Sequence, residues 1–104
     1  DAEAVFSDGR WLTGHALNWR RGPLYKHPLM IQEHRYGHAI ILMARREDCF
    51  GLSGYHSYHN SQYLHLFGRD VAAGEQVETT VRMILLTEWE DLQEEAVQLY
   101  KSWE

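Results

Sequence analysis

Three of the seven histidines lie within ten residues of one another, in a segment that is also rich in aromatic side chains. His56 and His59 are separated by two residues, and His65 and Asp70 follow along the chain. Zinc and other first-row metals accept imidazole nitrogens and carboxylate oxygens in tetrahedral or open sites. One hypothesis is therefore a small metal-dependent enzyme whose zinc or related metal is bound by His56, His59 and His65, with Asp70 beside them.

The same segment favours a second interpretation, which is an aromatic binding surface. Sugars stack their C–H faces on planar rings, while their hydroxyls pair with amide, guanidinium and carboxylate groups. The candidate ligand-binding residues are Tyr55, Tyr58, Asn60, Tyr63, His65, Phe67, Arg69 and Asp70. This interpretation predicts a non-catalytic domain that binds a carbohydrate or a similar polar ligand and needs no cofactor. The competing structural explanation is that both faces of this segment are buried in a sandwich.

Other patterns do not point to a reaction. His34 and His38 flank a turn that contains Gly37, so they cannot share a helical face, and a metal site there is disfavoured. Residues 51–54 place their second glycine one position early for a Gly-x-Ser-x-Gly nucleophile elbow, and the sequence has no phosphate-binding glycine loop. Cys49 is the only cysteine and has no Cys-x-x-Cys partner, which predicts a small buried apolar residue.

The elements that would position these residues are predicted mainly as strands, because residue types alternate with a period of two. The predicted strands span residues 10–19, 29–33, 38–44, 49–52, 62–67 and 77–86. A turn at Gly37 pairs the second and third as a hairpin. Apolar residues on both faces of the third predict a central strand that is covered on both sides.

The predicted strand 62–67 carries part of the candidate site. Leu64 and Leu66 share one face and are expected to point into the core. Tyr63, His65 and Phe67 then share the opposite face. The alternation thus separates His65 from the turn that carries His56 and His59, which favours an aromatic surface over a metal triad.

A C-terminal helix is predicted after the last strand. Thr87 and Glu90 have the spacing of a capping box, in which each side chain accepts a hydrogen bond from the other residue's amide. The apolar stripe that follows consists of Trp89, Leu92, Ala96, Leu99 and Trp103. This stripe must pack on the domain's own sheet or on a partner, so a homo-oligomer or a subunit of a larger protein is a third hypothesis.

Composition limits the class of protein. A chain of 104 residues supports one domain, and 44% hydrophobic residues exclude intrinsic disorder. The net charge of −5 argues against a nucleic-acid partner, and no run approaches the roughly 18 apolar residues of a membrane span. The chain begins with Asp1 and not with Met, so it is a mature form after signal removal, a trimmed chain or a fragment of a larger β-sandwich protein. The compartment is not identified.

Together these observations predict a mainly β domain over residues 1–104. We expect an antiparallel sheet or β-sandwich of about six strands with one C-terminal α-helix. Short turns between the strands argue against alternating βαβ units.

One segment resembles a known family. Residues 63–75 read Tyr-Leu-His-Leu-Phe-Gly-Arg-Asp-Val-Ala-Ala-Gly-Glu, and the predicted strand 77–86 follows. A strand, a loop of this form and a long closing strand are similar to the last strands of galactose-mutarotase-like β-sandwich domains of carbohydrate-active proteins. The resemblance covers about a quarter of the chain. It implies a carbohydrate-binding sandwich or a part of one, and it identifies no catalytic residue.

Overall fold

The computed structural model of the chain describes residues 2–7, 25–55 and 61–104. The predicted strand 10–19 lies outside the described residues, as do the site candidates His56, Tyr58, His59 and Asn60. Within the described residues the fold is mainly β, with six strands in two sheets and one C-terminal α-helix, which confirms the predicted fold class. No helix in this part of the chain is long and apolar enough to cross a membrane.

The larger sheet contains four of the six strands. The elements are β1 (Val5–Phe6), β2 (Leu29–His34), β3 (His38–Ala44), β4 (Cys49–Tyr55), β5 (Ser61–Leu66), β6 (Val81–Leu86) and α1 (Leu92–Trp103). The strand order in the larger sheet is β1, β2, β3, β6, with β1 parallel to β2 and the other pairs antiparallel. The predicted β2–β3 hairpin and the predicted central position of β3 are both confirmed.

Helix α1 covers one face of the larger sheet and forms the main core with it. Alternate residues of β2 and β3 point to this face, where cross-strand pairs such as Ile31 and Ile41 meet Ala96 and Tyr100 of the helix. The fully buried apolar residues that the sheet contributes are Leu29, Ile31, Ala39, Ile41 and Met43. Burial of apolar surface contributes roughly 25 cal/mol per Å², so this core is the main source of stability.

Helix α1 begins later than predicted. Its N-cap is Asp91, whose Oδ1 accepts a hydrogen bond from the Glu94 amide at 3.1 Å. Glu95 Oε2 accepts a second one from the Glu90 amide at 3.2 Å. The predicted Thr87–Glu90 capping box is therefore wrong. An aspartate directly before the first turn satisfies an otherwise unpaired amide and places negative charge at the positive end of the helix dipole.

The apolar stripe of α1 packs within its own chain. Its buried residues are Leu92, Ala96, Val97 and Tyr100. Trp89, Leu99 and Trp103 of the predicted stripe are partly buried against the same core. This face of the helix therefore contributes to the core of its own chain, and an oligomer or partner contact through the stripe stays a prediction.

Two arginines hold the C-terminal end of α1. The Arg45 guanidinium carbon lies 3.7 Å from the centre of the Trp103 ring, and its Nη1 donates to the Trp103 carbonyl at 3.0 Å. Arg46 donates to the Glu104 carboxylate at 3.2 Å and to the Lys26 carbonyl. Positive charge at a helix C-terminus complements the dipole, and a guanidinium on an indole face adds a cation–π contact.

A second, narrower layer covers part of the opposite face of the larger sheet. It is the antiparallel hairpin of β4 and β5. Leu52 of β4 is fully buried and meets Val5 and Met30, and Leu64 packs partly buried against the same cluster. The predicted inward direction of Leu64 is confirmed.

Strand β6 is shorter than predicted, and one of its two faces is exposed. Its pairing with β3 stops where Ala44 lies opposite Val81, so residues 77–80 have no strand of the larger sheet to pair with and are not part of β6. Ile84 points towards α1, whereas Met83 and Leu85 are 71% and 62% exposed. On the same face of β3, Ile40 and Leu42 are half-buried, so the predicted cover of β3 is complete only on the helix side.

Candidate functional site

Tyr63 and His65 lie on the same face of β5, as the alternation predicted. The register places Tyr63 opposite Ser53 and His65 opposite Gly51. Leu64 points the other way, into the contact with the larger sheet. The candidate face is therefore the side of the β4–β5 hairpin that does not pack on the main sheet.

Ser53 and His65 are joined across the hairpin by a hydrogen bond. The distance between Ser53 Oγ and His65 Nε2 is 2.7 Å, which is within the range of a nucleophile and its general base. Ser53 is fully buried, however, so a substrate carbon cannot approach its hydroxyl. The bond instead orients the imidazole on the hairpin surface.

Phe50 is the site residue that sequence reasoning missed. A β-bulge between Cys49 and Gly51 displaces it from the regular alternation, and its side chain is 63% exposed. Its ring lies 5.6 Å from the His65 ring, at an angle of 78°. A Cβ atom added at Gly68 would lie 2.6 Å from the Phe50 ring, so a larger residue there would force the ring or the backbone to shift. The sequence signal that could have found it is Gly51 inside a strand, since such glycines mark bulges.

A small cavity of about 180 Å³ opens beside Phe50. Its lining residues are Glu47, Asp48, Cys49, Phe50, Phe67, Gly68 and Arg69. It is smaller than the roughly 300–1,000 Å³ of a typical ligand pocket, so it would hold an edge of a ligand and not a whole one. Aromatic, cationic and anionic groups meet at this one place.

Phe67, Arg69 and Asp70 lie beyond the end of β5. Phe67 has a φ of 56°, and its amide donates to the Asp48 carbonyl at 2.9 Å. The chain therefore turns at Phe67, and the prediction that Phe67 continues the face of Tyr63 and His65 is wrong. Arg69 forms a salt bridge to Glu75 at 3.0 Å, and its Nη1 donates to the Asp70 carbonyl at 3.0 Å. Arg69 therefore reaches the cavity from an internally bonded loop, whereas Asp70 is exposed and outside the cavity lining.

The remaining predicted site residues are placed only in part. Tyr55 lies at the end of β4, where its backbone is opposite Ser61. His56, Tyr58, His59 and Asn60 lie outside the described residues. Across the described ranges, no group of three or more His, Cys, Asp or Glu residues could hold a metal ion. A site formed by His56, His59 and His65 stays a prediction.

Cys49 has the chemistry of a packed thiol. Burial raises its pKa, although hydrogen bonds with the backbone of Gly51 and the side chain of Tyr25 oppose the shift. Burial also raises the pKa of Tyr25 to about 12, with Cys49 as a further cause. Since the nucleophilic form of cysteine is the thiolate, a raised pKa makes Cys49 a poor nucleophile near neutral pH.

A larger groove of about 1080 Å³ runs along α1, where apolar side chains such as Trp89 and Leu99 lie beside acidic ones, but its lining has no basic side chain. Its charged lining residues are Glu88, Glu90, Asp91, Glu94 and Glu95. These carboxylates repel one another and face no cation within the groove lining. The smaller cavity beside Phe50 is therefore the better candidate site, in spite of its size.

Comparison with known proteins adds no relative. No protein-family model matches the chain, and no curated protein or solved structure matches it.

Proposed function

We propose that this domain binds a carbohydrate or a similar polar ligand on the Phe50 surface, which consists of Phe50, Tyr63, His65, Phe67 and Arg69. The observation that carries the proposal is the exposed Phe50 ring, which is held over Gly68 and beside His65. A bulge, a glycine and a neighbouring imidazole together keep this large apolar ring at the surface.

The chemistry around the ring favours a polyhydroxylated ligand. The exposed ring offers an apolar area on which C–H groups can stack. Arg69 and the carboxylates of Glu47 and Asp48 lie on the same cavity and can pair with hydroxyl groups. An apolar ligand would use only the ring, whereas a sugar would use both the ring and the charged groups around it.

The same geometry favours binding without catalysis. The hydroxyl of Ser53 is buried, and His65 Nε2 is already hydrogen-bonded to it. Cys49 lines the cavity with a thiol of raised pKa. Neither the Ser53 hydroxyl nor the Cys49 thiol is therefore both accessible and activated.

The resemblance of residues 63–75 to galactose-mutarotase-like domains gives separate support. The loop of that resemblance supplies Phe67, Gly68 and Arg69 to the cavity. The closing strand of the resemblance begins at Val81, four residues later than the sequence predicts. The resemblance thus bears on the loop more directly than on the strand that follows.

The proposal is tested by titrating the protein with a panel of oligosaccharides while recording amide and aromatic NMR shifts. We expect shifts at Phe50, Tyr63 and His65 with at least one sugar. Phe50→Ala should weaken that binding about tenfold, equivalent to about 1.4 kcal/mol, because the stacking surface is removed. Tyr36→Ala is the matched control, since Tyr36 is a 73% exposed ring at the β2–β3 turn and should not matter.

Two results would overturn this function. One is the absence of shifts at the Phe50 surface across the whole panel. The other is a bound sugar whose affinity is unchanged in Phe50→Ala. A loss of affinity in Tyr36→Ala alone would move the site to the other hairpin.

A further inference from the structure

The β2–β3 hairpin brings His34 and His38 face to face. They are directly opposite each other in the register, with ring centroids 4.7 Å apart and ring planes within 8° of parallel. Both side chains are partly exposed. The turn at Gly37 prevents a shared helical face, but it is also what makes these two residues cross-strand neighbours.

We propose that His34 and His38 form a two-imidazole binding site for a divalent first-row cation such as zinc. Directly opposed residues in an antiparallel pair have Cβ atoms about 4.5–5.5 Å apart. Two nitrogens bound to one tetrahedral zinc at about 2.0–2.1 Å lie about 3.4 Å from each other. The side chains can span this distance without movement of the backbone, and water would fill the remaining positions. This site is independent of the Phe50 surface.

The other two histidines in the described ranges, His27 and His65, are less available. Both ring nitrogens of His27 are in use, at 3.1 Å from the Glu3 carboxylate and 3.0 Å from Arg46. His65 Nε2 lies 2.7 Å from Ser53 Oγ. His34, in contrast, accepts one long hydrogen bond at Nδ1, from the Tyr36 amide at 3.3 Å. A cation that binds His34 and His38 therefore displaces fewer hydrogen bonds than one that binds His27 or His65.

Binding requires a small rearrangement that can be observed. Parallel rings point their lone pairs side by side, so at least one ring must rotate about χ2, a torsion with broad energy wells. A hydrogen bond accepted at Nδ1 leaves the proton of a neutral His34 on Nε2. Coordination through Nε2 moves this proton to Nδ1. Coordination through Nδ1 uses the lone pair that accepts the hydrogen bond from the Tyr36 amide. In both cases the Tyr36 amide loses its acceptor.

The test is a zinc titration of the intact chain, followed by amide NMR and by thermal unfolding. We expect shifts at the imidazole signals of His34 and His38 and at the Tyr36 amide. Zinc should also raise the melting temperature, because a ligand that binds the folded state stabilises it. His34→Ala and His38→Phe should each weaken zinc binding at least tenfold. The phenylalanine keeps a ring for stacking, so His38→Phe remains informative if an alanine variant fails to fold.

The matched control is the double variant His56→Ala/His59→Ala. It removes the other histidine pair but leaves the hairpin unchanged, so its zinc response should equal that of the wild type. If the response disappears in this control and survives in His38→Phe, the metal site belongs to residues 56–59 and the proposal is wrong. An absent zinc response in the wild type overturns it as well. So does a response that all variants retain.

Discussion

The larger sheet has two faces with similar apolar residues but very different cover. On the helix side, Ile41 and Met43 of β3 are fully buried. On the opposite side, Ile40 and Leu42 are half-buried, and Met83 on the neighbouring strand is 71% exposed. The difference comes from the covering layer, because α1 reaches β3 and β6 whereas the β4–β5 hairpin buries Val5 and Met30 at the far side of the sheet.

This comparison shows that apolar character alone does not decide burial. An apolar residue contributes to stability when a second layer excludes water from it. The residues of a strand do not determine which face of the sheet that layer covers. The opposite face, which the β4–β5 hairpin covers only in part, carries both the exposed residues of β6 and the His34–His38 pair. The covered face contributes the main core.

The largest expected effect is on the helix side. Ile41→Ala should lower the free energy of unfolding by about 2–5 kcal/mol, because it creates a cavity in a fully buried site. Ile40→Ala is the matched control, since it is the same substitution on the other face of the same strand. It should cost only about 1 kcal/mol. Denaturant titration measures both, and equal losses would mean that the two faces are covered alike.

A second prediction concerns Tyr25, which packs with Cys49 against the cluster of Val5, Met30 and Leu52. Burial raises the pKa of Tyr25 to about 12, above its usual value near 10, so folding favours the neutral phenol. This contribution is complete below about pH 10 and is lost as the pH rises to about 12. The wild type should therefore lose on the order of 1 kcal/mol more than Tyr25→Phe over this range, after allowance for partial exposure.

Tyr100 provides the comparison with the helix side. Burial raises its pKa too, and the charge of Arg46 opposes the shift there as it does at Tyr25. Tyr100→Phe should therefore also remove part of the alkaline loss of stability. The measurement is the free energy of unfolding against pH for the wild type and both variants. If Tyr25→Phe loses stability with rising pH as steeply as the wild type does, the phenol of Tyr25 is not kept from water by the β4–β5 hairpin.

The sequence predicted strands β2 and β3 better than their environment, whereas it did not predict the short strand β1. The turn at Gly37 and the proline before Leu29 mark the ends of β2 and β3, so these strands were predicted almost to the residue. Alternation also placed Tyr63 and His65 on one face. It could not predict that Met83 lies on an uncovered face, because an apolar row looks the same whether or not a second layer reaches it.

The functional residues that sequence reasoning missed depend on register. Phe50 sits in a bulge, and one extra residue in a strand leaves only a weak signal in the sequence. The sequence argument against His34 and His38 considered helical spacing, whereas the hairpin makes them direct neighbours. In both cases the decisive fact is which residue lies opposite which, and this is known only once the strands are paired.

A third prediction concerns the start of the helix that covers the main core. Asp91→Ala removes the side chain that accepts from the Glu94 amide, and should cost about 0.5–1 kcal/mol. Thr87→Ala is the control, because Thr87 belongs to the predicted capping box that the helix does not use, and it should change stability by less than about 0.5 kcal/mol. Denaturant midpoints of the two variants decide between the two caps, and a larger loss in Thr87→Ala would restore the earlier start of the helix.

The smallest effect is expected on the exposed face of β6. A substitution there tests most directly whether the two faces of the larger sheet differ in their cover. Met83→Gln keeps the length of an unbranched side chain at a site that is 71% exposed, so it should change the free energy of unfolding by less than about 0.5 kcal/mol. Unfolding is measured at two protein concentrations, since association with a second copy would make the wild-type midpoint depend on concentration. A constant midpoint that Met83→Gln leaves unchanged means that this face is open to water. A concentration-dependent midpoint that Met83→Gln abolishes means that another copy covers it, and the two faces of the sheet then differ only in whether the cover comes from the same chain.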